Sequence, residues 1–337
     1  MDAPRISVVV TACADSRALR SCLARVRSEA DTLGAEVLLV VNAPESSLGE
    51  ARLELEKTCD RLLFEPAIGK SHALNLAVDA ARGEVVAFTD DDAEPEPGWL
   101  RPLTAPLLAS DRPPRLAGTG GRVLPVFPEG ATPAWFRAWL ESRDTAFLSP
   151  RHDRGPQPLE YSYGDQDRTG IPIGANCAYR REIFASYRYD PRLGPNRETG
   201  LRGGEDTLLA MELMRDGFRL LYTPDARVLH PVYVERLRID AIRRAFVARG
   251  VEWVRIRQLL GAPLPSAATA RRKLRRLRLK LWLARADRVL RGGAERDDQC
   301  RRLLFKADRW KGRLAELQAP GAAPIGEAQR LGLGGAR

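Results

Sequence analysis

The sequence predicts an α/β protein: a doubly wound, mainly parallel sheet flanked by helices, followed by a basic helical C-terminal extension. Three observations carry that expectation. Short apolar runs rich in β-branched residues alternate with amphipathic helical stretches through residue 92. The run Val85-Val86-Ala87-Phe88 ends in Thr89-Asp90-Asp91-Asp92, where open α/β sheets hold their ligands. Residues 271–313 hold 17 Lys/Arg against 5 Asp/Glu, a surplus larger than the net charge of +10 for the whole chain. The basicity therefore belongs to a C-terminal module, and the remainder is slightly acidic.

The elements follow in order. Ile6 to Thr11 reads as a strand, and residues 16–32 as a helix with Leu19, Cys22, Leu23 and Val26 on one face. Glu36 to Val41 is a second strand, ending at Asn42, and Arg61 to Phe64 a third. Gly69 to Arg82 has helical spacing, with Leu74, Val78 and Ala81 on one face, and residues 84–89 form the fourth strand. Residues 125–165, rich in Pro and Trp, break the rhythm. They read as an insertion near the cleft, with Trp135 and Trp139 either contacting an acceptor or packing as one helix face. Regular structure resumes at Gly174, and a helix opens at Glu205-Asp206 and is capped by Gly217. Short strands follow at Leu220 to Tyr222 and Val228 to His230. Beyond about residue 235 the pattern is helical and basic, with a Gly/Ala-rich tail after Pro320.

With 337 residues the chain accommodates one large domain and an appendage, or two domains. No apolar stretch approaches the roughly 18 residues of a membrane span. Met1-Asp2-Ala3-Pro4-Arg5 leads directly into a strand, so no signal peptide is expected. The five cysteines are scattered without metal-site spacing and read as reduced thiols of a cytosolic protein.

Three adjacent carboxylates repel one another, and a hard divalent cation carrying a diphosphate is their natural partner. A solvated acidic turn is the alternative. Glu205-Asp206 reads either as a general base near a ligand or as an acidic pair favoured by the helix dipole. His230 ends a strand and can ligate a metal or serve structurally.

The order of Val8-Val9-Val10-Thr11, Gly69-Lys70-Ser71-His72-Ala73-Leu74-Asn75, Phe88-Thr89-Asp90-Asp91-Asp92, Gly174-Ala175-Asn176-Cys177, Gly204-Glu205-Asp206 and Pro224 to His230 resembles the family 2 glycosyltransferases of GT-A fold. The resemblance covers about residues 5–232. It implies an inverting, metal-dependent transfer of one sugar from a nucleoside diphosphate sugar to an acceptor hydroxyl. Asp90 and Asp92 would hold Mn²⁺ or Mg²⁺, with His230 completing the set. Asp91 would face the ribose or the sugar. Asp206 would be the base, with Glu205 the competing assignment. Thr11, Ala12 and the residue after the second strand would contact the nucleotide. The family commonly has Asp at that last position and this chain has Asn42, which leaves a uridine donor as the expectation on an uncharged acceptor. Lys70 would sit near the diphosphate, and Gly174, Ala175 and Asn176 would line the sugar and acceptor pocket. The Gln-x-x-Arg-Trp motif of processive relatives is absent, so a single transfer is expected.

On this reading residues 1–234 form the catalytic domain, 235–318 a basic helical region and 319–337 a flexible tail. The acceptor expected is a glycan or lipid-linked, cell-envelope intermediate. In 271–313, Leu274, Leu277, Leu281 and Ala284 share one helical face with Arg272, Arg276 and Lys280 elsewhere. That pattern suits the inner face of an anionic membrane or a hairpin packed on the catalytic domain or a second subunit, as in a homo-oligomer. Nucleic acid has no recognition motif to support it. The rival functions are a sugar-nucleotide nucleotidyltransferase, against which the Thr11-Ala12-Cys13-Ala14-Asp15 loop counts, and a non-catalytic binding module.

Overall fold

The computed structural model describes residues 4–130, 132–133, 135–136, 151–162 and 170–319. The chain divides into two compact units, Met1–Thr199 with Glu205–Arg236, and Gly200–Gly204 with Leu237–Arg337. The first contains β1 (Ile6–Ala12), α1 (Arg17–Leu33), β2 (Glu36–Val41), α2 (Ala51–Glu56), β3 (Arg61–Phe64), α3 (Lys70–Ala80), β4 (Val85–Asp90), β5 (Glu94–Pro95), α4 (Leu100–Leu108), β6 (Leu116–Val126), β7 (Leu159–Glu160), β8 (Cys177–Arg180), α5 (Glu205–Arg215) and β9 (Arg219–Pro231). Its sheet runs β3-β2-β1-β4-β8-β6-β9-β5, with β7 paired to β9. Strands β3, β2, β1 and β4 are parallel, whereas β8 is antiparallel to both β4 and β6.

The strands are continuously apolar because both faces are covered. Val8, Val10, Val37, Leu39, Val85 and Ala87 pack with α1 and α4, while Val9, Leu38, Val40, Val86 and Phe88 pack with α3 and α5. Helix α1 begins where the Ser16 side chain accepts the Leu19 N–H at 3.0 Å, and ends at Gly34 with φ of 60°.

Two elements depart from the sequence expectation. Residues 116–126, glycine-rich and without strand periodicity, form the long strand β6. Cβ atoms at Gly118, Gly120 and Gly121 would lie 2.5 Å from the Tyr179 ring, 2.6 Å from the Tyr161 hydroxyl and 2.2 Å from the Asn176 amide. These positions are glycine because side chains from neighbouring segments fill the space. The two short strands expected at 220–222 and 228–230 are one strand, β9. Its register against β6 jumps from Thr223 to Arg227, a bulge that accommodates Pro224.

His152 is fully buried in the first unit, bridging to Val123 through both backbone bonds, with Nε2 2.6 Å from the Tyr161 hydroxyl. Burial, aided by the nearby Arg154 charge, lowers its pKa from 6.5 to about 3. The unfolded chain therefore takes up a proton below about pH 6.5 that the folded chain refuses until about pH 3, and stability falls with pH across that window. Urea denaturation from about pH 7 down to about pH 4 should show this slope, and His152→Gln should flatten it.

The second unit contains α6 (Ile239–Leu259), α7 (Ala267–Arg291) and α8 (Ala294–Leu317). Helix α8 packs on both others. Phe246 stacks on Phe305 with centroids 5.0 Å apart, and Arg243 pairs with Asp308 and Arg255 with Glu316. The backbones of α6 and α8 approach at Gly250 and Gly312, where a Cβ would sit 2.0 Å from the Arg309 carbonyl oxygen and 1.9 Å from that of Val247. Gly312→Ala should lower the thermal midpoint. The gain in helix propensity is about 1 kcal/mol, and a clash with backbone rather than a mobile side chain costs about 1–3 kcal/mol or more.

The apolar face read from 271–313 as a membrane contact is covered: Leu274 and Leu277 pack on Ala307, and Leu281 and Ala284 on Cys300. Residues 137–150, 163–169 and 320–337, which include Trp139 and the expected tail, lie outside the described residues.

Candidate active site

The acidic run sits at the carboxyl end of β4, beside β1, with Thr11 opposite Asp90. The chain turns at once, because the Asp90 carbonyl accepts the Ala93 N–H at 3.1 Å and the Cys22 thiol at 3.3 Å. Strand β9 pairs with β5 directly after this turn and carries His230 into it. His230 Nε2 lies 3.2 Å from an Asp92 oxygen and 3.6 Å from an Asp90 oxygen. Its Nδ1 lies 3.2 Å from the Pro231 carbonyl, which only accepts, so Nδ1 carries a proton and Nε2 faces the carboxylates.

The charges in this corner are strongly coupled. Burial opposes protonation of His230, but the hydrogen bonds to Asp90 and Asp92 raise its pKa to about 9. Burial would raise Asp90, yet Lys70 and His230 hold it well below the usual carboxylate range. For Asp91, burial and the charges of Asp92 and Asp90 outweigh the pull of Lys70 and raise it to about 6.

Lys70, the first residue of α3, forms an ion pair with Asp90. Burial works against its charge, and the Asp90 carboxylate beside it, with Asp206, holds it protonated. The backbone N–H of Lys70 donates to the Pro195 carbonyl at 3.1 Å, and Ser71 Oγ to that of Leu193 at 2.8 Å, so this helix start is already partly satisfied.

Glu205 and Asp206 open α5 in different environments. Glu205 is buried, its Oε2 has no hydrogen-bond partner among the described residues, and burial with the neighbouring Asp206 charge raises its pKa well above the carboxylate range. It therefore carries a proton near neutral pH. Asp206 is half-buried; one oxygen accepts the Gly174 N–H at 2.9 Å and the other the Thr207 N–H at 2.6 Å. A Cβ at Gly174 would lie 3.7 Å from Asp206 Oδ2 and 3.9 Å from Lys70 Nζ, so Gly174, Asp206, Lys70 and Asp90 form one continuous corner.

The other sequence candidates divide. Thr11 is buried next to Asp90, and its hydroxyl has no hydrogen-bond partner among the described residues. Ala12 binds the Asn42 N–H through its carbonyl at 2.7 Å, and the Ala175 carbonyl accepts Thr89 Oγ1 at 3.0 Å. Asn42 is buried and holds the 65–69 segment: Nδ2 donates to the Glu65 and Ala67 carbonyls at 2.9 and 2.7 Å, and Oδ1 accepts the Gly69 N–H at 3.0 Å. Asn176 is also buried, and Nδ2 ties β6 to β9 through the Arg122 and Ala226 carbonyls at 3.0 and 2.8 Å. Both side chains therefore scaffold the segments they occupy. One neighbour was missed: Arg236, 3.6 Å from Asp92 and stacked over Tyr233 at 5.3 Å. It follows β9 in a short turn of helix, and nothing in its local sequence signals the site.

One donor atom each from Asp90, Asp92 and His230 falls within 4.8 Å of the others. Two carboxylates and an imidazole aimed by a backbone carbonyl form an oxygen/nitrogen set suited to Mn²⁺ or Mg²⁺.

The model of the family described as "Glycosyltransferase like family 2" matches residues 4–259. A curated relative, the glucosyl-dolichyl phosphate glucuronosyltransferase of Haloferax volcanii, is 23% identical over 212 residues, which is 61% of this chain and 62% of the relative. The chain thus matches less than two thirds of that relative's length. The mannosyltransferase PcManGT from Pyrobaculum calidifontis, solved with GDP-Man and Mn²⁺, superposes with a TM-score of 0.54 at 16% identity, covering 92% of this chain and 87% of that one. With the match to the family model spanning most of its length, this chain belongs to the family 2 glycosyltransferases and has their GT-A fold.

Proposed function

We propose that the protein transfers a single sugar, with inversion, from a nucleoside diphosphate sugar to an acceptor hydroxyl, through the catalytic domain at residues 1–234. The observation that carries the reading is the convergence of Asp90, Asp92 and His230 in the corner that Lys70 shares with Asp206. Asp90, Asp92 and His230 would hold Mn²⁺ or Mg²⁺. When bound, such an ion neutralises charge that develops on a diphosphate leaving group.

The remaining roles belong to the chain itself. Asp206 takes the proton of the attacking hydroxyl, and attack from the face opposite the diphosphate inverts the anomeric centre. Glu205, already protonated, does not serve as base; it fills the space under the start of α5. Lys70 holds Asp90 in place and brings positive charge to the diphosphate side. Thr11 and Ala12 approach the nucleotide, with Asn42 fixing the segment beside it. Asp91 faces the donor, and Gly174, Ala175 and Asn176 shape the sugar pocket. UDP is the donor nucleotide we favour. The acceptor is a lipid-linked or envelope glycan intermediate, supported by the glucosyl-dolichyl phosphate in the name of the Haloferax relative. The protein would then work in the cytoplasm, at a membrane presenting that acceptor.

Isothermal titration of UDP, GDP and dTDP, each with and without Mn²⁺, tests the donor site. Manganese-dependent binding of one nucleotide is the expected result and names the base. Absence of binding for all three in both conditions would overturn the donor site.

A further inference from the structure

Helix α7 has two apolar faces, and one of them is uncovered. Ala270, Leu274, Leu277, Leu281 and Ala284 are buried. Leu279, Trp282, Leu283 and Leu290 stand in solvent at 59, 65, 53 and 81% exposure, with Val289 beside them. At helical spacing these five side chains cover an arc of roughly 120°, nearly opposite the buried face. Arg271, Arg278 and Arg285 border the arc on one side, and Lys273, Arg276 and Lys280 on the other, while Arg272 and Arg275 continue it toward the N-terminus of the helix.

From Ala267 to Ala286 the helix has eight Lys/Arg and no Asp or Glu. None of those eight has an ion-pair partner among the described residues. Acidic partners begin at the C-terminal end, where Asp287 pairs with Arg291 and Arg296, and Asp297 with Arg288.

We propose that this outer face of α7 binds the surface of an anionic lipid bilayer. The stripe would enter the headgroup–acyl boundary while the bordering cations meet lipid phosphates. Charge selects this occupant. A second copy docking the same face would bring two sets of unneutralised cations together. A nucleic acid backbone needs cations at the centre of contact, and from 279 to 290 the centre is Trp282 with leucines. Among the described residues no helix is long and apolar enough to cross a membrane, so α7 lies on the surface. This contact is separate from the sugar-transfer site and is read by binding, not turnover.

The test is co-sedimentation of the full chain with vesicles of phosphatidylcholine plus phosphatidylglycerol, and with phosphatidylcholine alone. Binding is expected to the anionic vesicles, weakened by salt, with little binding to the neutral ones. The combined Leu279→Ser, Trp282→Ser and Leu283→Ser variant should bind at least about tenfold more weakly. Its thermal midpoint should match wild type, since the three side chains are exposed. Arg276→Gln and Arg278→Gln should each cost about fivefold. Four results would each overturn the proposal: no vesicle binding, equal binding to both vesicle types, a solution dimer that the serine variant dissociates, or duplex DNA held more tightly than vesicles and indifferent to the serine changes.

Discussion

Asp206→Asn should lower the turnover of sugar transfer by about 10²–10⁴-fold while nucleotide binding in the presence of Mn²⁺ stays within a few-fold of wild type. The asymmetry between Glu205 and Asp206 is the reason. Glu205 is buried, and burial with the neighbouring Asp206 charge raises its pKa to about 8, which makes it a poor proton acceptor near neutral pH. Asp206 is only half-buried, and its oxygens accept the Gly174 and Thr207 N–H groups. Glu205→Gln replaces an already neutral group by a neutral amide of the same shape and should change turnover less than about tenfold. An asparagine at 206 keeps an oxygen for one of the two N–H donors and turns an NH₂ toward the other, so a melting curve must accompany the kinetics. The reverse result, an inactive Glu205→Gln with an active Asp206→Asn, would transfer the base to Glu205.

Asp92→Ala should abolish Mn²⁺-dependent nucleotide binding and reduce transfer by on the order of 10³-fold. Asp90→Asn and His230→Ala should weaken Mn²⁺ itself, seen as loss of the thermal stabilisation that the ion gives wild type. Asp91→Asn is the internal control. Asp91 is adjacent in sequence but outside the convergent set, so Mn²⁺ stabilisation should survive its substitution. If Asp91→Asn and Asp92→Ala lose metal binding equally, the ligand set is wrong. The three aspartate substitutions also separate ligation from charge, since each removes a carboxylate from the same corner.

Much of this architecture is legible in the chain alone. β-branched apolar runs produce β1, β2 and β4 because their side chains suit a sheet covered on both faces. The carboxylates at 90–92 mark a candidate cation site because adjacent like charges at a strand end repel one another. Helix α1 is readable from its serine cap to its glycine stop. These signals are local, carried by neighbours within a few residues.

The rest depends on who arrives from far away. Strand β6 is invisible as a strand because Tyr179, Tyr161 and Asn176, distant in sequence, occupy the space over its glycines. Pro224 reads as a break, and only the pairing of β9 with β6 turns it into a bulge. His230 was a metal candidate in the sequence, and β9 delivers it to the turn after β4, within reach of Asp92. Arg236 reaches Asp92 from a segment with no motif. Asn42 looks like a base contact in one dimension, and in three it also carries the 65–69 segment. On α7 the periodicity marked one apolar face, and packing against α8 decided that the exposed one is its opposite. Sequence thus determined the elements, the carboxylate run and the charge of the C-terminal module. Tertiary structure decided which carboxylate is buried, how the strands meet around the acidic turn and which face is free, because burial and charge pairing depend on residues brought together only by the fold.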